Sequence, residues 1–114
     1  MRVRDIKEIL EAELLCGEEL LDTEVLSACG SDLMSDVLAF VKEQSLLLTG
    51  LVNPQVVRTA DMMDMRCIVF VRGKRPDEGT LALARDRGIA VMSTGLRMYS
   101  ACGKLYAAGL ASEV

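Results

Sequence analysis

Four short stretches, SACGSD, LLTGLVNP, FVRGKRPD and MSTGLRM, each set a glycine directly after a β-like run and ahead of a helical pattern. In a parallel sheet such turns collect at the carboxyl ends of the strands, the side on which α/β proteins bind ligands. Helices that start there present unbonded N–H groups, which suit a phosphate or a carboxylate. Thr49, Ser93 and Thr94 add hydroxyls at these turns, and Arg72, Lys74 and Arg75 add positive charge. The chemistry on offer is anion binding, in a groove lined by Thr49, Gly50, Arg72, Gly73, Lys74, Ser93, Thr94 and Gly95. A plainer reading stands beside it. Glycine is common in such turns because it tolerates a positive φ, Thr94 can serve as a helix cap, and the basic residues can be a solvated loop.

Catalytic groupings are harder to assemble. The chain has no histidine, so a cysteine nucleophile would lack its usual base. GKRPDEGT follows Gly-Lys with Arg rather than Ser or Thr, which fails as a phosphate-binding P-loop, and no G-x-G-x-x-G occurs. Asp61 and Asp64, three apart on a helix, would be the pair for acid–base work, but the apolar stripe lies elsewhere and both are expected in solvent. Cys16, Cys29, Cys67 and Cys102 lie far apart with no C-x-x-C, which disfavours a zinc site. Cys67 and Cys102 read as small core residues, and nothing suggests disulfides. The expectation is no enzyme, no metal and no cofactor.

The elements that would position the groove alternate along the chain. DIKEILEAELL places Ile6, Ile9, Leu10 and Leu14 on one helical stripe, with Gly17 as a stop. TEVLSACG reads as a weak strand, after which Ser31 or Asp32 caps a helix carrying Leu33, Val37, Leu38 and Val41. SLLLTG is apolar throughout, as in a strand covered on both faces. Asn53 and Pro54 suit the N-cap and first position of a helix with Val56, Val57, Ala60 and Met63 on one side. RCIVFVRG gives the clearest strand, RPDEGTLALARDRG a helix stopped by Gly88, IAVMSTG a strand and LRMYSACGKLYAAGL a final helix. This alternation predicts an α/β fold with βαβ crossovers. Its sheet is mainly parallel, of about four strands, with helices on its faces, in one domain spanning residues 1–114.

Composition bounds the partners. Half of the residues are apolar and only four are aromatic, so the core is aliphatic. No apolar run reaches the ~18 residues of a membrane span, and the charged start is no signal peptide, which points to the cytoplasm. Residues 1–45 carry eleven acids against four bases, and residues 46–114 six acids against nine bases. Without a dense basic stripe or aromatic stacking surface, nucleic acid is a poor partner. The final helix is apolar on two sides. Met98, Ala101, Cys102 and Leu105 form one face, and Tyr99, Gly103, Tyr106 and Leu110 the other. That pattern predicts a homodimer, with Met63, Met98, Tyr99, Tyr106 and Leu110 as interface candidates.

The segments VRDIKEILEAELLCGEE, LLLTG and RCIVFVRGKRPDEGTLALARDRGIAVMSTG, with the closing helix and its tyrosine, resemble the DRTGG domain family over nearly the whole chain. The string that names the family is absent, its nearest piece being Leu48-Thr49-Gly50-Leu51. Such domains occur alone, in front of phosphotransacetylases, and between CBS modules in some inorganic pyrophosphatases. The resemblance implies a fold akin to the N-terminal domain of HPr kinase. It also implies use as a dimerising regulatory module without catalysis of its own. Carried over, it marks the turns at Thr49-Gly50 and Thr94-Gly95 as the groove. Three functions follow as expectations, a regulatory module sensing an anion such as a nucleotide, a protein–protein scaffold without a ligand and, last in order, an enzyme, which the missing histidine, metal motif and nucleophile–base pair disfavour.

Overall fold

The run Cys67–Phe70 lies at the middle of the molecule, with all four residues fully buried. In the computed structural model, which describes residues 1–40 and 44–112, five α-helices, a 3-10 turn at Glu18–Leu20 and five further strands surround it. In chain order they are α1 (Val3–Ile9), β1 (Glu13–Cys16), β2 (Ser27–Gly30), α2 (Met34–Phe40), β3 (Ser45–Thr49) and α3 (Pro54–Met62). There follow β4 (Cys67–Phe70), α4 (Glu78–Asp86), β5 (Ala90–Ser93), α5 (Met98–Ala107) and β6 (Ala111–Ser112). The strands form one sheet in the order β1-β5-β4-β3-β2-β6.

Every neighbouring pair from β5 through to β6 is parallel. The predicted mainly parallel α/β architecture is therefore present, and its four expected strands are β2, β3, β4 and β5. Two edge strands extend it. β6 continues the parallel sheet, whereas β1 runs antiparallel to β5.

Alternation along the strands sorts the side chains into two cores. Leu46, Leu48, Cys67 and Val69 face α1 and α5, where they meet Val3, Ile6, Leu10, Ala101 and Leu105. Leu47, Ile68 and Phe70 face the other way, onto Val37, Val56, Val57, Ala60 and Ala84 of α2, α3 and α4. A strand covered on both sides holds apolar residues or bonded hydroxyls and no charge, as SLLLT and CIVF do, with Ser45 and Thr49 bonded to Ser27 and Asp32.

The first helix is shorter than its stripe predicts. It ends at Ile9, the N–H of Ala12 closes on the carbonyl of Lys7, and Glu11 turns the chain with φ of 49°. Leu14 then sits opposite Met92 in β1, so it belongs to a strand and not to the helical stripe. Pairing with β5 overrides the helical preference of EAELL. Gly17 follows that strand at φ of 94°, and a Cβ there would lie 2.5 Å from the Cα of Ala90. Its role is close packing, not the end of α1.

Only Ser27–Gly30 of TEVLSACG is strand. In α2 Val37 is buried and Leu38 is 41% exposed, Leu33 just before the helix is 57% exposed, and Val41 lies outside the described residues. Asn53 and Pro54 take the predicted N-cap and first-turn positions of α3. The last helix stops at Ala107, because Gly109 at φ of 103° turns the chain so that Leu110 enters the core. Among the described residues no helix is long and apolar enough to cross a membrane.

Candidate functional site

Parallel pairing brings the ends of β3, β4 and β5 side by side, and the loops beyond them are tied to one another. Val71 N–H bonds the Thr49 carbonyl at 3.0 Å, so the β4 loop starts against the end of β3. Arg72 and Gly73 then take successive left-handed conformations, φ of 59° and 68°. Their N–H groups donate to the carbonyls of Leu96 and Thr94 at 2.7 and 2.8 Å. These two bonds strap the β4 loop to the turn that opens α5.

Thr49, Ser93 and Thr94 are all buried, and their hydroxyls are engaged. The Thr49 hydroxyl donates to Asp32 Oδ1 at 3.0 Å, and the Gly50 N–H donates to the same oxygen at 2.7 Å. Ser93 donates to the Lys74 carbonyl and Thr94 to the Leu10 carbonyl, each at 2.8 Å. Thr94 also accepts the Leu96 N–H at 3.2 Å, an inward role close to the cap that its sequence suggests. Asp32 is the member of this edge that the spacing argument missed. Its position one residue after Ser31, just beyond β2, was legible only as a cap signal. Instead it reaches across to the end of β3, while Ser31 Oγ accepts the Leu33 N–H.

Gly50, Arg72, Gly73, Lys74 and Gly95 are the members of the groove that reach the surface. A Cβ on Gly50 would collide with the Arg72 guanidinium, so the absence of a side chain there lets the tip of that arginine lie over the turn. Arg72 and Lys74 enter no ion pair among the described residues. Arg75 differs, since it grips Glu13 through two bonds of 2.9 and 3.0 Å. That contact holds the Glu13 carboxyl below its usual range, chiefly by hydrogen bonding and then by charge. Nearby, α3 begins at Pro54 behind Asn53, whose Oδ1 is buried without a partner. Among the described residues this edge carries the Arg72 guanidinium and the Lys74 ammonium outside any ion pair, while the N–H groups of Gly50, Val71, Arg72, Gly73 and Leu96 are already bonded. The two cations give this edge a positive surface, and among the described residues it contains no nucleophile–base pair.

Other candidates are dispersed. Asp61 bonds Arg87 at 2.8 Å and lies 3.9 Å from Arg66, which also pairs with Asp64. This cluster borders the amino ends of β4 and β5, opposite the groove, and reads as a surface ion network. No disulfide joins Cys16, Cys29, Cys67 and Cys102. Burial pushes the Cys67 thiol up to about 12, so it is protonated and inert at neutral pH. Among the described residues no three His, Cys, Asp or Glu side chains are grouped to hold a metal.

The interface candidates do not share one surface. Tyr99 and Tyr106 stand 90% and 73% exposed on α5, above an open depression of about 610 Å³ that also touches Gly103 and Ala107. Met98 is half-buried, packed on the same core as α5, and Leu110 is 5% exposed within that core. Leu110 therefore belongs to the interior of its own chain, because the helix ends before it. Met63 packs on the α3–α4 side of the sheet, away from the tyrosines.

A family model described as the DRTGG domain matches residues 5–108. No curated protein matches the chain. Among solved structures, the fold is shared with the CBS and DRTGG domains of the regulatory region of Clostridium perfringens pyrophosphatase, complexed with its activator, diadenosine tetraphosphate. The TM-score is 0.75 at 16% identity, over 91% of this chain and 45% of that one. This chain thus spans less than half the length of that structure.

Proposed function

The chain belongs to the DRTGG domain family, and on that premise we propose that it is a non-catalytic regulatory module responding to an anionic small molecule. The ligand binds at the carboxyl edge of the sheet, and a nucleotide is the first class to test. The observation that carries this reading is Arg72, held over Gly50 with no carboxylate partner among the described residues. A left-handed arginine is backbone strain of about 1 kcal/mol or more, held where the loop is strapped to α5. The nucleotide activator of the structural neighbour supports the choice of ligand class. The module acts as a homodimer in the cytoplasm, passing the ligand signal to a partner protein.

One observation favours a scaffold without a ligand. Asp32 already occupies the Thr49 hydroxyl and the Gly50 N–H, donors that an anion would use. Calorimetry and thermal shift with ATP, diadenosine tetraphosphate and inorganic phosphate separate the two readings. A ligand at 100 times its dissociation constant adds about 2.7 kcal/mol of stability. Arg72→Ala should weaken the response at least tenfold. Gly50→Val should do the same while the fold persists, since the added side chain displaces only the tip of Arg72. No stabilisation by any of the three probes would leave the scaffold as the better account, and responses in both variants equal to that of the wild type would overturn the groove as the binding site.

A further inference from the structure

We infer that Asp32 is a built-in competitor for the ligand of the sheet edge. Its carboxylate fills an oxyanion cradle made by the Thr49 hydroxyl and the Gly50 N–H, and a phosphate group that takes its place releases the start of α2. This deepens the reading of the edge as an anion site and rests on it.

The donors at the edge end on two kinds of partner. The N–H groups of Val71, Arg72 and Gly73 and the hydroxyls of Ser93 and Thr94 all end on main-chain carbonyls. Such bonds are part of the fold, and giving them up would move backbone. Thr49 Oγ1 and the Gly50 N–H instead meet on one side-chain oxygen, Asp32 Oδ1, at 3.0 and 2.7 Å. Two donors converging on a single oxygen are the arrangement that receives an oxyanion. The Leu51 N–H donates to Thr49 Oγ1 at 3.1 Å, which leaves the hydroxyl proton for Asp32. Asp32 itself is exposed, so its carboxylate can leave for water without opening the core.

Arg72 decides what displaces it. The guanidinium lies over Gly50, beside the cradle, yet forms no ion pair with Asp32 or another described carboxylate. A phosphate monoester carries roughly two negative charges at neutral pH and three acceptor oxygens. One oxygen can take the two donors from Asp32 while another meets the guanidinium, so phosphate gains a contact that Asp32 does not make. A free carboxylate carries only the charge of Asp32 and lacks the tether that keeps Asp32 at high local concentration. The edge therefore selects phosphate over carboxylate.

Displacement reaches α2 because Asp32 lies just ahead of it. The Ser31 N–H holds the Leu48 carbonyl at 3.0 Å, so β2 keeps its place beside β3 as the following residues move. α2 has seven residues, and among those described only Val37 is buried, so the Asp32 contact supplies much of what fixes its start. Leu33 and Leu38 are exposed and shift with it, which gives the signal an apolar surface to act through.

The test titrates the full chain with inorganic phosphate, ATP and acetate while amide resonances are followed by NMR. In the wild type, phosphate and ATP should move the Gly50 resonance together with those of Leu33 to Leu38, and acetate should move neither. Asp32→Ala should bind phosphate about tenfold more tightly, keeping the Gly50 response and losing that of α2. Asp32→Asn keeps an oxygen for both donors without the charge, and its affinity should fall between. Asp36→Asn, which removes an exposed acid one turn further on, should bind as the wild type does. If Asp32→Ala loses its circular dichroism spectrum, Asp32→Asn decides, and affinity no higher than wild type overturns the inference. Binding that is unchanged or weaker in Asp32→Ala, or a wild-type Gly50 response without one in α2, overturns the inference and leaves the anion site standing. No response to phosphate or ATP in the wild type and in the folded Asp32 variants overturns the inference and the anion-site reading together.

Discussion

The carboxyl edge of the sheet and the outer face of α5 meet at Leu96, yet the chain treats them in opposite ways. At the edge, threonine and serine hydroxyls, the Asp32 carboxylate and the loop N–H groups answer one another, and Arg72 and Lys74 are left outside any ion pair among the described residues. On α5, Tyr99, Gly103 and Tyr106 touch almost nothing of their own chain. The contrast separates two meanings of an exposed-looking motif. Hydroxyls and glycines in turns can be fully used by the fold that carries them. A glycine in a helix with open space around it is not used at all.

The largest effect would come from the strand that supports both regions. Val69 is fully buried beside Ala101 and Leu105, so Val69→Asp sets an unpaired carboxylate under α5. The cost of several kcal/mol is comparable to the whole stability of a small domain, and circular dichroism should report an unfolded chain. A folded variant within about 1 kcal/mol of wild type would mean that the two regions do not share that frame.

A smaller effect sharpens the contrast from the edge side. Thr94→Val keeps the shape but leaves the Leu10 carbonyl and the Leu96 N–H without the hydroxyl. Urea unfolding should show a loss of about 1–3 kcal/mol, the cost of unmet buried groups. A loss below about 0.5 kcal/mol would place this hydroxyl with ordinary surface groups. The smallest effect has the opposite sign. Gly103→Ala, measured where the chain is monomeric, should gain about 0.5–1 kcal/mol from helix propensity. Destabilisation there would show that Gly103 is needed by its own fold after all.

Sequence patterning made much of this legible, and its gaps have physical causes. The four central parallel strands announce themselves because burial on two faces forces apolar runs such as SLLLT and CIVF. β1 hides inside a helix-compatible segment, since its strand state is set by pairing with β5, more than seventy residues away in sequence. The groove residues do gather at one edge. Which of them face inward was not readable, because Thr49 and Thr94 are turned by partners at Asp32 and Leu10 that spacing does not reveal. Leu110 fits the periodicity of a longer helix, and a glycine one residue earlier in the chain redirects it.

The antiparallel edge strand has a consequence for what the molecule avoids. β1 is four residues long, broken in register between Leu14 and Cys16, and carries Glu13 clamped to Arg75. A free strand edge is a template on which other chains can add, the route to fibrils and runaway polymers. A short, kinked strand with a charge at its start offers a poor template. On that flank the sheet resists lengthening by intermolecular strand addition, so contacts with other molecules there depend on side chains rather than on backbone ladders.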